Sequence, residues 1–371
     1  MSVTLNGSTG VTFNDGSSQT SAASPLGLKN RIINGDMRID QRNAGAAVTA
    51  NDSFPVDRFR LGFGNSSGAF SAQQTTTAPA GFINSIKYLT TTADATLGAS
   101  EYATLYQPIE GLNVADLGWG TADAKTVTLS FWCRSSVTGT FGGALRNSAG
   151  TRSYPFTFAI SVANTWEQKS ITIAGDTSGT WLTTNGVGIY VHTGMGTGTT
   201  LSGTANAWAS ANYVSATGAV NLIATLNADF YITGVQLEVG STATPFERRL
   251  YNQELAACQR YFYKTTPLTG NQPVYSVVGS LSTTRSISMH PVPMPVTMRT
   301  SPTVGYNSVQ ITSATTSAIS STVSSVTTYN NTTASNYVTL DIAYSAGGSS
   351  GNIYALSANA AGSYLDFSAE L

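Results

Sequence analysis

The sequence is short of charge. Only 10% of its 371 residues are Asp, Glu, Lys or Arg, against about 25% in ordinary soluble domains. The 18 basic and 19 acidic side chains leave a net charge of -1, which offers no field for steering nucleic acid or an anionic membrane surface. Two histidines and two cysteines cannot furnish a His/Cys metal cluster of any size. No segment approaches the ~18 consecutive apolar residues of a membrane span. The opening Met1-Ser-Val-Thr-Leu-Asn-Gly7 lacks the basic and apolar regions of a secretory signal, so synthesis in a cytosol is expected. No nucleic acid partner and no membrane insertion are therefore expected.

What fills the gap is Ser and Thr, roughly a quarter of the chain, with glycine somewhat above the usual 7% or so. At 41% hydrophobic and 10% aromatic, the chain is too apolar for disorder through composition. Cys133 alternates with Val127, Leu129 and Phe131 along one strand face, and Cys258 shares a helical stripe with Tyr251, Leu255 and Phe262. Both are expected to be small core residues, free Cys being among the most buried types.

Three regions follow from the pattern: 1–27, 28–265 and 266–371. The first holds an echo, Val3-Thr-Leu-Asn-Gly-Ser8 and then Val11-Thr-Phe-Asn-Asp-Gly16. Each copy is a short alternating strand ending in a turn signal. Units so small cannot bury a core alone. The segment is expected to be ordered only against another chain, with Val3, Leu5, Val11, Phe13, Asn14 and Asp15 as its docking residues. The second region begins with the densest charges, Arg31, Asp36, Arg38, Asp40 and Arg42 and then Asp57, Arg58 and Arg60. Alternating sign predicts strand edges cross-linked by Arg–carboxylate pairs. Beyond it, short alternating segments over 105–109, 127–133, 156–160, 169–173, 188–192 and 230–239 predict a β-sandwich of jelly-roll type. A single helix is predicted over 244–262, Pro245 suiting its first turn.

The third region has five charged residues, Arg285, Arg299, Asp341, Asp366 and Glu370, and seven tyrosines. Strands are predicted over 274–281, 285–289, 303–306, 337–343, 352–356 and 364–371. The expected fold class is thus all-β: attachment strands, a central sandwich with one packed helix, and a second β-sandwich-like tip.

Several stretches resemble virion proteins of tailed bacteriophages. Asn30-Arg-Ile-Ile-Asn-Gly-Asp-Met-Arg-Ile-Asp-Gln-Arg42, with Asp57-Arg58-Phe59, is similar to the opening of a domain found in them. Phe230-Tyr-Ile-Thr-Gly-Val-Gln-Leu-Glu-Val-Gly-Ser-Thr-Ala-Thr-Pro-Phe-Glu-Arg-Arg249 and Cys258-Gln-Arg-Tyr-Phe262 resemble its close. Thr165-Trp-Glu-Gln-Lys169 and Gly175-Asp-Thr-Ser-Gly-Thr-Trp181 resemble strand ends of carbohydrate-binding-module-like jelly rolls. Val11–Thr20 looks like a phage attachment motif, and Met294–Pro302 and Leu365–Leu371 are similar to the ends of the same proteins. The resemblance implies a virion appendage: a homotrimeric tail fibre that docks to other tail or virion proteins and meets host cell-surface polysaccharide, or a head fibre or capsid decoration protein.

Catalytic chemistry has few candidates. Asp36/Asp40 and Glu167/Asp176 are the carboxylate pairs that could serve a glycosidase, the basis of a third, polysaccharide-depolymerase alternative. His192 and His290 lack any flanking nucleophile elbow and are expected at exposed strand ends or loops. Gly194-Met-Gly-Thr-Gly198 lacks the dinucleotide-binding spacing and is expected to be a flexible turn. No enzymatic activity and no cofactor are expected. A single structural Ca²⁺ is left open, with Asp176 as its candidate ligand. Sugar binding needs aromatic faces and planar polar groups without net charge, and the candidates are Tyr306, Tyr329, Asn331, Tyr337, Tyr344 and Tyr354.

Overall fold

The computed structural model describes residues 4–6, 10–12, 18–19, 29–64, 67–265, 273–282, 286–288, 292–313, 319–328, 337–344 and 353–371. The chain is all-β, with one α-helix, Tyr251–Gln259, among the described residues. None of those residues forms a helix long and apolar enough to cross a membrane.

Two five-stranded antiparallel sheets make the central jelly-roll sandwich. The front sheet runs in the order Ser153–Ile160, Gly139–Arg146, Val187–Thr197, Tyr102–Glu110, Arg60–Gly64. The back sheet runs Glu167–Ile173, Val127–Ser135, Asp229–Val239, Ser85–Thr92, Ala69–Thr75. Alternate residues of each strand point inward, and Leu61, Leu105, Phe131, Phe141, Leu145, Phe156, Ile232 and Leu237 share one core between the sheets. Phe158 packs edge-on against Phe131 at 5.0 Å and nearly parallel to Phe141 at 5.8 Å. Cys133 and Cys258 are free and fully buried, as expected.

Residues 30–59 differ from the expected strand edges. Apart from isolated bridges at Val48 and Val56, they form turns and irregular backbone, because side chains rather than ladders fix them. Asn30 donates to the Val235 carbonyl and accepts from the Leu237 amide, and the Val235 amide donates to Gly35. A Cβ on Gly35 would lie 2.2 Å from the Val235 oxygen. The helix is also shorter than expected. Residues 244–250 are held extended: Glu247 donates from its amide to Gln236 and takes the Lys29 and Asn30 amides on its carboxylate. Arg249 reaches the Ile32 carbonyl and Glu254.

The third region closes into a six-stranded barrel where a second sandwich is expected: Pro273–Ser282, Ser286–Ser288, Leu340–Tyr344, Ile319–Thr328, Val309–Ser313 and Ile353–Ala358. A three-stranded sheet, Phe262–Lys264, Tyr364–Ser368, Thr303–Asn307, joins it to the sandwich. Here the stretches that open and close the region, 30–42, 57–59 and 258–262, meet 294–302 and 365–371. Ala369 donates to the Tyr261 carbonyl, Arg299 to the Ala369 and Glu370 carbonyls, and Gln41 to that of Phe262. Arg58, 1% exposed, pairs with Glu370, which also takes Arg42 at 2.8 Å. Arg42 in turn holds Asp57 at 2.9 Å. Tyr261 stacks under the Arg58 guanidinium at 3.5 Å and donates to Glu110, which Arg260 grips through Nε at 2.8 Å and Nη2 at 2.6 Å. The expected Arg–carboxylate pairs therefore exist, and the two to Glu370 tie the start of the sandwich to a residue more than three hundred positions later.

At the other end, Thr4–Asn6, Gly10–Thr12 and Ser18–Gln19 form a small antiparallel sheet, with Leu5 opposite Val11. The two units of the echo pair with each other. Val3, Phe13, Asn14 and Asp15 lie outside the described residues.

Candidate functional site

The outward face of the front sheet carries aromatic rings that the core does not use. Tyr102, Thr104 and Tyr106 alternate along one strand and Tyr190 and His192 along its neighbour, with His192 opposite Tyr106. Arg146 ends the next strand, opposite Tyr190. The Tyr106 and His192 rings lie 5.0 Å apart and nearly parallel, and Tyr190 meets Tyr106 at 5.9 Å and His192 at 5.8 Å. The Arg146 guanidinium sits 4.7 Å over the Tyr190 ring.

Glycine makes room for these rings at the edge strand. A Cβ on Gly62 would lie 2.7 Å from the Tyr106 ring, and one on Gly64 would lie 2.6 Å from the Tyr102 ring, so both tyrosines lie across bare backbone. Asp52 borders the strip on that side: its amide donates to the Leu61 carbonyl and its carboxylate accepts the Tyr106 hydroxyl at 2.8 Å. Asn212 borders the other side and accepts from Arg146. It belongs to the excursion 200–221, which binds the opposite edge strand through Ser153 and Pro155. The strip thus crosses four strands, about 14 Å at the usual strand spacing, room for an oligosaccharide rather than a single ring.

Burial governs the titration of the strip. It raises the phenol pKa of Tyr102 and Tyr106, with Asp52 adding to both. It drops His192 well below the ordinary imidazole value, Arg146 adding to the effect, so His192 is a neutral polar spacer. Its Nδ1 shares a hydrogen bond with Thr104 at 3.2 Å, and its Nε2 has no protein partner. This corrects the expected exposed strand end: His192 lies within the strand Val187–Thr197 and is 5% exposed. The expected turn at 194–198 is likewise strand as far as Thr197, with a bulge between Gly194 and Gly196. Those glycines serve close packing, since a Cβ would meet Ser215 at 2.7 Å or Asn221 at 2.4 Å. His290 lies outside the described residues.

The carboxylate candidates are committed elsewhere. Asp36 pairs with Arg38, and Asp40 accepts from Asn43 and Gly45. Glu167 pairs with Lys169 and takes the Ser161 and Val162 amides. Asp176 is gripped by Arg152 at 2.7 and 2.8 Å. A guanidinium on both oxygens makes Asp176 a structural anchor. Among the described residues no group of three or more His, Cys, Asp or Glu is placed to hold a metal.

A cavity lies elsewhere in the sandwich. Trp119, Trp181 and Trp208 meet edge-on at 4.8 to 5.5 Å beside a cavity of about 170 Å³ lined by Val114, Leu117, Leu182 and Ile189. All three indole N–H groups donate to backbone carbonyls, of Lys125, Ser178 and Ala174. The cluster thereby braces loops rather than presenting donors to a ligand.

Of the tyrosines expected to bind sugar, Tyr306 is exposed but donates to the Ser324 carbonyl at 3.0 Å, and Tyr337 is half exposed on a different sheet. Tyr344 and Tyr354 lie on barrel strands, their side chains outside the description, and Tyr329 and Asn331 lie outside the described residues. The front-sheet strip went unread, although Tyr190-x-His192 and Tyr102-x-x-x-Tyr106 carry the period-2 signal of one shared face.

No family model and no curated protein matches the sequence. The chain is similar to several solved structures. One is the enzymatically active domain of tailspike protein 4 from bacteriophage CBA120, at 11% identity over 57% of this chain and 21% of that one, TM-score 0.32. Another is a family 11 carbohydrate-binding module of a Clostridium thermocellum cellulosomal cellulase, at 12% identity over 54% of this chain and 99% of that one, TM-score 0.27. A third is TmCBM61 in complex with β-1,4-galactotriose, at 8% identity over 57% and 100%, TM-score 0.28. The chain therefore spans about a fifth of the tailspike domain and nearly all of each module. Structural neighbours of this chain thus include a phage tailspike domain and carbohydrate-binding modules.

Proposed function

We propose that this protein is a non-enzymatic bacteriophage virion appendage, a homotrimeric tail fibre whose front-sheet strip holds host-surface glycan. The strip is the observation that carries the reading. Tyr102, Tyr106 and Tyr190 supply ring faces for sugar C–H surfaces, and Asp52, Asn212 and Arg146 supply hydrogen bonds at both borders, the combination sugars need. The virion assignment rests on the motif stretches, several of which, among them 30–42, 258–262, 294–302 and 365–371, meet at one junction of the fold. Residues 1–27 are the proposed docking segment, 28–265 the glycan-holding body and 266–371 the distal domain.

The test is affinity electrophoresis through gels containing host surface polysaccharide. The wild type is retarded, and Tyr106→Ala and Tyr190→Ala each weaken retardation about tenfold or more, one ring's burial and stacking being worth on the order of 1.5 kcal/mol. Equal retardation of all three proteins removes the strip from the binding reading. Immunogold labelling of intact virions tests the tail position, capsid labelling assigning the chain to the head instead.

A further inference from the structure

We infer that the strip selects acidic glycans, and that Arg146 is its specificity-determining residue, taking the carboxylate of a uronic or ulosonic acid unit. The inference rests on the glycan reading above and adds a charge preference to it.

Arg146 is out of step with its fellow arginines. Arg31, Arg38, Arg42, Arg58, Arg152, Arg249 and Arg260 each pair with a carboxylate. Arg60 and Arg299 are met by backbone oxygens near residue 371. Arg134 and Arg248 make their hydrogen bonds at exposed positions. Arg146 has one neutral acceptor, Asn212, and a ring face, Tyr190. Its Nε is buried without a hydrogen-bond partner, as are those of Arg31, Arg58, Arg60 and Arg249, but what sets Arg146 apart is that no carboxylate among the described residues pairs with it and its acceptor is neutral. Burial works against its charge, lowering its pKa, while the nearby phenols of Tyr190, Tyr106 and Tyr102 only partly offset this.

A desolvated cation is costly unless an anion completes it. The place where completion is missing is one end of the aromatic strip. A guanidinium with free donors recognises a planar carboxylate in the two-pronged geometry that a neutral hydroxyl cannot match.

The experiment uses the full chain and a panel of bacterial acidic polysaccharides, each paired with its carbodiimide-reduced neutral form. The wild type binds the acidic member at least about tenfold more tightly, the scale of one charge-assisted pair, and Arg146→Gln erases the preference, the affinities for the acidic and reduced forms becoming equal. Arg146→Lys keeps part of the preference, since charge survives without the fork. Equal affinity for acidic and reduced forms, or a preference that persists in Arg146→Gln, overturns the inference and leaves the glycan reading standing. Binding of no polysaccharide overturns the glycan reading and the inference with it. Arg146→Gln also leaves the melting temperature within about 4 °C of wild type; a larger fall makes Arg146 a scaffold residue and overturns its assignment.

Discussion

Removing the Glu370 carboxylate should weaken the sandwich from more than three hundred residues away. Arg58 is 1% exposed, and Glu370 is the carboxylate that pairs with it. In Glu370→Ala, Arg42 keeps Asp57, but Arg58 keeps only the Pro108 carbonyl, at 2.7 Å, and the Tyr261 ring. Stripping one partner from a buried pair costs about 3–5 kcal/mol, because the other charge stays buried. The assay is a urea titration followed by tryptophan fluorescence. All five tryptophans, at 119, 132, 166, 181 and 208, lie in the sandwich, so the signal is blind to the barrel. With a slope of about 2–3 kcal/mol per molar urea, the midpoint should fall by roughly 1 M or more. Replacing both partners, Arg58→Met with Glu370→Leu, should recover most of the loss, since an apolar pair of similar volume is often neutral or better. A tryptophan midpoint unmoved by Glu370→Ala would show that the final residues do not support the sandwich, and the reasoning fails.

Two further outcomes are expected. Burial raises Asp57 from 3.8 to about 6, with Arg42 and Gln41 opposing the shift and Glu370 and Asp40 assisting it. The folded state therefore retains a proton that the unfolded chain releases. This contribution is full below pH 3.8 and is lost as pH rises through about 6. The urea midpoint of wild type relative to Asp57→Asn should fall across that window, and a relative rise would contradict the burial argument. Burial also pushes the Cys133 thiol up to about 12 and raises that of Cys258, so a thiol reagent should label neither in the native protein and both in denaturant; rapid native labelling of either would place it outside the core.

Sequence pattern reached the scaffold further than the site. Strands such as Val127–Ser135 and Asp229–Val239 announce themselves by alternation. Ser/Thr-rich Ile319–Thr328 did not, because its apolar positions are few. Gly194 and Gly196 misled the reading of His192, since glycine signals both a turn and a close approach, and only the positions of Ser215 and Asn221 distinguish the two. Tyrosine density pointed to the third region, whereas the strip draws its rings from strands far apart in sequence. None of Asp52, Tyr102, Tyr106, Arg146, Tyr190, His192 or Asn212 lies in the motif stretches. Those stretches encode the junction: Asn30 against Leu237 and Glu247, Ala369 against Tyr261.

The three-stranded sheet at that junction gives the barrel redundant moorings. The chain leaves the sheet after Lys264, comes back before Thr303, leaves again after Asn307 and returns at Tyr364. Met294, Met298, Leu365 and Phe367 are buried together with barrel residues such as Ile342 and Leu356. A protease that severs any one of the four crossings frees no fragment, because the cut piece remains laced into the sheet on its other side. With both cysteines free and buried, this lacing supplies the tolerance to nicking that a covalent cross-link supplies elsewhere.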